Sequence, residues 1–228
     1  MGRKSRRILV WIALLASPAF AGQSLGDEDC KGDPKGLTAG WCMSQELNRK
    51  KVEWERRIAP IAALARSRGK ETQKALAMLR KKAEAFTGNE ASVFAEPNRG
   101  GTGYSTVILV GEIKRGEDFV TILERYVGER APEATPIALK TADDALNATY
   151  TQVMGAYKAE DEDVGKGTSS QDVLRRAQRS WLPYRDAWIA FYRLRWKGAA
   201  PPEALEREIA AALTQKRAEE LPRLGEED

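Results

Sequence analysis

The chemistry open to this chain is limited first by what it lacks. Its 228 residues include no histidine and only two cysteines, Cys30 and Cys42. Ser-His-Asp and Cys-His nucleophile arrangements are therefore excluded. Two thiols without a histidine also fall short of the four-ligand set that holds zinc. Carboxylate pairs such as Asp143-Asp144 and Glu226-Glu227-Asp228 occupy helix-surface and tail positions and do not converge as an acid and a base in a pocket would. The cluster Pro97-Asn98-Arg99-Gly100-Gly101-Thr102-Gly103 has neither the Gly-Lys-Ser/Thr ending of a phosphate loop nor the full Gly-x-Gly-x-x-Gly spacing. It reads as a connection between helices. The expectation is a protein that is not an enzyme, with no cofactor and no metal.

The first residues bear on location. Met1–Arg7 is basic, Ile8–Ala16 is apolar, and Ser17-Pro18-Ala19-Phe20-Ala21 ends in Ala-x-Ala, the three parts of a secretory signal peptide. The apolar run is shorter than the roughly 20 residues needed to span a bilayer. Cleavage after Ala21 gives a periplasmic or secreted chain with no stable membrane insertion. It also removes Arg3, Lys4, Arg6 and Arg7, so that 37 basic against 33 acidic residues become 33 of each. The calculated basicity thus belongs to the export signal, and no electrostatic case for nucleic acid survives. In an exported protein Cys30 and Cys42, with eleven residues between them, are expected to form a disulfide. In the chain-entropy picture such a short loop is worth roughly 3 kcal/mol.

The elements that must position any site read as helices throughout, giving an all-α helical bundle. Leu174, Ala177, Trp181, Tyr184, Trp188 and Phe191 recur at alternating spacings of three and four, which places them on one helical stripe. Three of the six tryptophans (Trp181, Trp188, Trp196) lie in or just beyond this stretch, which is expected to be core. The helix should open at a Ser169 or Ser170 cap, run to about Lys197 and kink at Pro183. Upstream, Met43, Leu47, Trp54, Ile58 and Ile61 mark a first helix that Pro60 should kink or end near Ala59. A second helix covers Glu71 to about Phe94. Tyr104–Val110 has strand propensity but no partner strand, so it is read as a buried helix. Ala138–Glu160 carries Leu139, Ala142, Leu146, Tyr150, Val153 and Tyr157 as an inner stripe. Glu160–Asp163 and Gly165–Ser170 read as a polar loop. Glu203–Leu221 forms the last helix, with Leu205, Ile209, Leu213 and Arg217 in step.

The halves align weakly. Gln45–Lys51 resembles Asp144–Tyr150 through a shared Leu-Asn, and Leu79–Phe86 resembles Leu174–Trp181. The expected organisation is a signal peptide (1–21), an N-terminal helical unit (22–130) and a related C-terminal unit (131–228).

Taken in order, Leu146-Asn147-x-x-Tyr150, Gln178-x-x-Trp181-x-x-Tyr184-Arg185-Asp186 and Leu213-Thr214-x-x-Arg217 give the second half a family likeness. From about Pro136 to Leu221 it resembles the LprI-type lysozyme inhibitor domain, an exported helical family with Leu-Asn-x-x-Tyr, Gln-x-x-Trp-x-x-x-Arg-Asp and Thr-x-x-Arg motifs. The resemblance implies binding to lysozyme or another peptidoglycan hydrolase, with Leu146, Asn147, Tyr150, Gln178, Trp181, Arg185, Asp186, Thr214 and Arg217 as structural or interaction residues. The alternative is a non-catalytic envelope module with a different partner. Two departures stand out. Trp188 lies about where the family carries a cysteine, and no cysteine follows Cys42. An apolar aromatic contact must then replace the covalent tie between the last two helices. Arg185 and Asp186 are expected to ion-pair with groups on neighbouring helices, Arg217 among the candidates for Asp186.

Overall fold

The structure is a computed structural model that describes Cys30 and residues 37–128, 138–163 and 169–224. Six α-helices account for nearly all of the described residues: α1 (Leu37–Ser67), α2 (Lys70–Phe94), α3 (Tyr104–Val127), α4 (Leu139–Asp163), α5 (Ser170–Arg195) and α6 (Pro202–Glu220). The fold is an all-α bundle. The proposed signal peptide, and the tail that contains Glu226-Glu227-Asp228, lie outside the described residues. Among those residues, no helix is long and apolar enough to cross a membrane. Cys30 and Cys42 are disulfide-bonded with Cα atoms 5.5 Å apart, which ties the residues before α1 to its second turn.

Within each half the first and third helices pack together, as do the second and third: α1 and α2 on α3, α4 and α5 on α6. The halves meet chiefly through α2 against α5. The α5 stripe explains this contact, since Leu174, Ala177, Trp181, Tyr184, Trp188 and Phe191 are all buried. Phe86 of α2 stacks on Tyr184 at 4.9 Å, and Phe119 of α3 meets Trp188 edge-on at 5.9 Å. Those offset and edge-on arrangements are the ones favoured by ring quadrupoles. Burial also raises the Tyr184 hydroxyl above the usual tyrosine range.

Polar groups fasten the same joint. Arg195 donates to the carbonyls of Val127 (3.2 Å) and Gly128 (2.6 Å), and Trp196 Nε1 donates to Tyr126 at 2.8 Å. The last carbonyls of α3 thus receive donors, one of them cationic, where the helix dipole is negative. On the other side Trp54 Nε1 donates to Glu117 at 2.9 Å, and Arg57 bridges Glu117 and Glu124. The Trp54 ring crosses α3 at Gly116, where a Cβ atom would lie 2.1 Å from it.

Several boundaries differ from the sequence reading. α1 passes through Pro60 and ends at Ser67. Pro60 and Arg56, four residues before it, are both exposed, so water can serve the freed carbonyl while buried Ile58, Ile61 and Ala65 hold the opposite face. α5 likewise continues through Pro183. It ends at Arg195, two residues before the expected Lys197, with Gly198 at a φ of 90° in the turn that follows. Tyr104–Val110 is helical as expected but not buried, since none of its side chains falls in the core. Glu160–Asp163 belongs to α4 and not to a loop, because no helix breaker intervenes before Gly165. Ser169 is the cap of α5, accepting from the backbone of Asp172 at 3.1 Å.

Candidate functional site: the groove between α4 and α5

Asp143, Leu146, Asn147 and Tyr150 follow one another at three, four and seven residues along α4. Arg175, Gln178, Arg179, Leu182 and Arg185 do the same along α5. Each set is therefore one face of its helix. The two faces border an open groove of about 410 Å³ with Trp181 in its lining. Leu146 and Trp181 are buried beneath it, Tyr150 is half-buried, and Asn147 and Leu182 are exposed. Six of the nine family-motif residues, namely Leu146, Asn147, Tyr150, Gln178, Trp181 and Arg185, thus come together at one surface feature.

The groove is basic. Arg175, Arg179 and Arg185 face a single acid of the lining, Asp143. Arg185 lies over the Trp181 ring at 5.1 Å from its centroid, a cation–π contact. Its nearest carboxylates are loose, Asp186 at 3.6 Å and Asp143 at 3.9 Å. Arg175 is paired with Asp172 at 2.7 Å. Among the described residues Arg179 has no ion-pair partner. Guanidinium forks held beside aromatic rings suit carboxylate or phosphate groups.

The other motif residues do different work. Asp186 is exposed at the edge of this face. Thr214 and Arg217 are buried on α6, away from the groove. Arg217 donates from Nε to Gln178 Oε1 at 3.2 Å and from Nη1 to Glu90 Oε1 of α2. Arg217 is therefore held by Gln178 and Glu90 and not by Asp186, while Arg185 makes its expected cross-helix pair with Asp143 of α4. Gln178 connects the two regions, lining the groove while holding Arg217.

Beneath this lies an ionic centre that sequence reasoning missed. Glu90 is fully buried, and Arg115 of α3 reaches its Oε1 at 3.1 Å. Arg115 is held in turn by Glu220 at 2.7 Å and Asp118 at 3.1 Å, and these carboxylates raise its pKa against the opposing effect of burial. The signal was present in the spacing. Leu76, Leu79, Ala83, Phe86, Glu90 and Val93 are buried at alternating steps of three and four, so Glu90 occupies a seam position of α2. The ring contacts of Trp188 go to Phe119 of α3 and to Tyr184, whereas α5 and α6 are joined by polar pairs, Tyr192 with Glu208 and Arg193 with Glu206. Through these rings Trp188 serves the joint with the first half. Among the described residues no group of three or more Asp, Glu, Cys or His is placed to hold a metal ion.

No solved structure matches the chain. An uncharacterized protein of Rhizobium meliloti (strain 1021) is 33% identical over 91 residues, which cover 38% of this chain and 66% of that relative. The chain thus spans just under two thirds of the relative's length. It is over residues 132–221, the segment that contains the whole α4–α5 groove, that the chain matches the family model described as Lysozyme inhibitor LprI.

Proposed function

We propose that this chain is an exported, non-catalytic protein that binds a cell-wall hydrolase of the lysozyme type and blocks it, with the α4–α5 groove as its contact surface. The observation that carries this is a coincidence of place. The family match covers 132–221, and within it six motif residues converge on one open groove. Of its three arginines, Arg179 has no ion-pair partner among the described residues and Arg185 has only long pairs of 3.6 and 3.9 Å. A charge left unpaired at a concave surface serves recognition better than stability. The signal-like Met1–Ala21 supports export. The division into units 22–130 and 131–228 belongs to the same proposal, supported by the matching way helices pack in each half. The test is the rate at which a lysozyme clears a peptidoglycan suspension. The purified chain in molar excess should slow clearing, and an unchanged rate would refute inhibition.

The sign of the groove favours a second reading. Lysozymes are generally cationic, whereas the groove is lined by three arginines and one aspartate. An envelope module of the same fold that binds a partner with an acidic surface fits that charge directly. Both versions use the same face of the molecule.

A further inference from the structure

The first half contains a groove in the equivalent place, and the comparison indicates what the second-half groove takes. It lies between α1, α2 and α3, has a volume of about 660 Å³, and is lined by Leu47, Lys51, Arg80, Ala83, Glu84 and Thr87 among others. Under the alignment of the two halves these six positions correspond to Leu146, Tyr150, Arg175, Gln178, Arg179 and Leu182 of the second groove. The helical frame is repeated, but the charge is not. The first groove has three basic residues (Lys51, Arg80, Lys81) and three acidic ones (Glu55, Glu84, Glu112), and Arg80 is paired with Glu55 across it. At the position of Glu84 the second groove has Arg179, without an ion-pair partner among the described residues, and the single acid of its lining is Asp143.

We infer that the α4–α5 groove receives an acidic segment of a partner polypeptide, with Arg175, Arg179 and Arg185 pairing its carboxylates over the Trp181 and Tyr150 rings. The inference rests on the proposed use of this groove as the contact surface and adds the chemistry of what enters it. The surface is concave, so it accepts a projecting element. With Arg175 paired by Asp172, the cations it leaves available are Arg179 and the loosely paired Arg185, and both lie in the half that carries the motif residues. Guanidiniums pair carboxylates through two parallel hydrogen bonds, and complementary charge of this kind governs both encounter and register.

The experiment uses the full chain and a fluorescent oligoglutamate, with oligolysine as the opposite-charge probe, followed by anisotropy at low and moderate salt. Oligoglutamate should bind in a salt-sensitive way and oligolysine should not. The double variant R175E/R179E should weaken oligoglutamate binding about tenfold or more, since two attractive charges become repulsive. The charge-matched control K74E/R207E, at exposed sites on α2 and α6, should change it little. R179E alone breaks no ion pair among the described residues and repeats the test with the least risk to folding, which circular dichroism checks. Absent binding, or equal loss in the control, would overturn the inference. A lysis assay on the same proteins separates it from the broader proposal. Groove-dependent oligoglutamate binding without slowed lysis would leave the groove chemistry standing and remove the inhibitor. Slowed lysis that survives R175E/R179E would keep the inhibitor and remove the groove chemistry.

Discussion

Glu90→Ala should be the most damaging single change to this fold outside the aromatic core. Glu90 is fully buried and its Oε1 is shared by Arg115 and Arg217. Arg115 would still have Asp118 and Glu220. Arg217, only 1% exposed, would keep the Gln178 oxygen and the Phe86 ring face but no carboxylate for its charge, and its Nη2 already lacks a hydrogen-bond partner. Removing one member of a buried pair typically costs about 3–5 kcal/mol, because the charge left behind stays desolvated. At about 2–4 °C per kcal/mol for a domain of this size, the thermal midpoint should fall by roughly 6–20 °C. The double variant Glu90→Leu with Arg217→Met removes both charges and should recover most of the loss, since apolar replacements of buried pairs are often neutral or stabilising. Thermal denaturation followed at 222 nm measures both. A loss below about 1 kcal/mol for Glu90→Ala, a value typical of exposed pairs, or no recovery in the double variant, would refute a buried ionic joint between the halves.

Other consequences follow from the same contacts. Trp181→Ala should cost about 3–5 kcal/mol in chemical denaturation because the ring is 3% exposed, whereas Arg185→Ala should cost under about 1 kcal/mol and weaken partner binding instead. Gly116→Ala should destabilise by about 1–3 kcal/mol or more, since its new methyl meets the Trp54 ring at 2.1 Å, and Trp54 fluorescence should report the ring's displacement. Hydrogen bonding by Arg57 lowers the pKa of Glu117 and Glu124 below the ordinary 4.5. The stability they lend is complete above that pH and is lost as pH falls through their lowered folded values, with the size limited by solvent screening. Arg57→Gln should therefore flatten the fall of the thermal midpoint below about pH 4.5.

Much of this was legible in the sequence where one stripe had one purpose. Leu174 to Phe191 read as a seam and is one, and the motif spacings of the second half placed six side chains on two facing helices. Charges in seam positions were harder to read. Arg217 was seen to be in step with Leu213 and Ile209, but its acid lies on α2, 127 residues away in sequence. Periodicity shows that such a residue is buried without showing what it meets. The prolines misled for a related reason. Pro60 costs a backbone hydrogen bond, but tertiary burial of Ile58 and Ile61 on the opposite face outweighs it, and a local rule cannot weigh that contact. The arginines of the groove were legible along α5, but their pairing was not, since only the structure shows Asp172 on Arg175 and no acid on Arg179 among the described residues.

The most direct test of the account is a calorimetric titration of the full chain with a purified lysozyme, run beside R175E/R179E. The account predicts saturable binding near one to one for the wild type and markedly weaker binding for the variant. A flat titration with folded wild-type protein would contradict it.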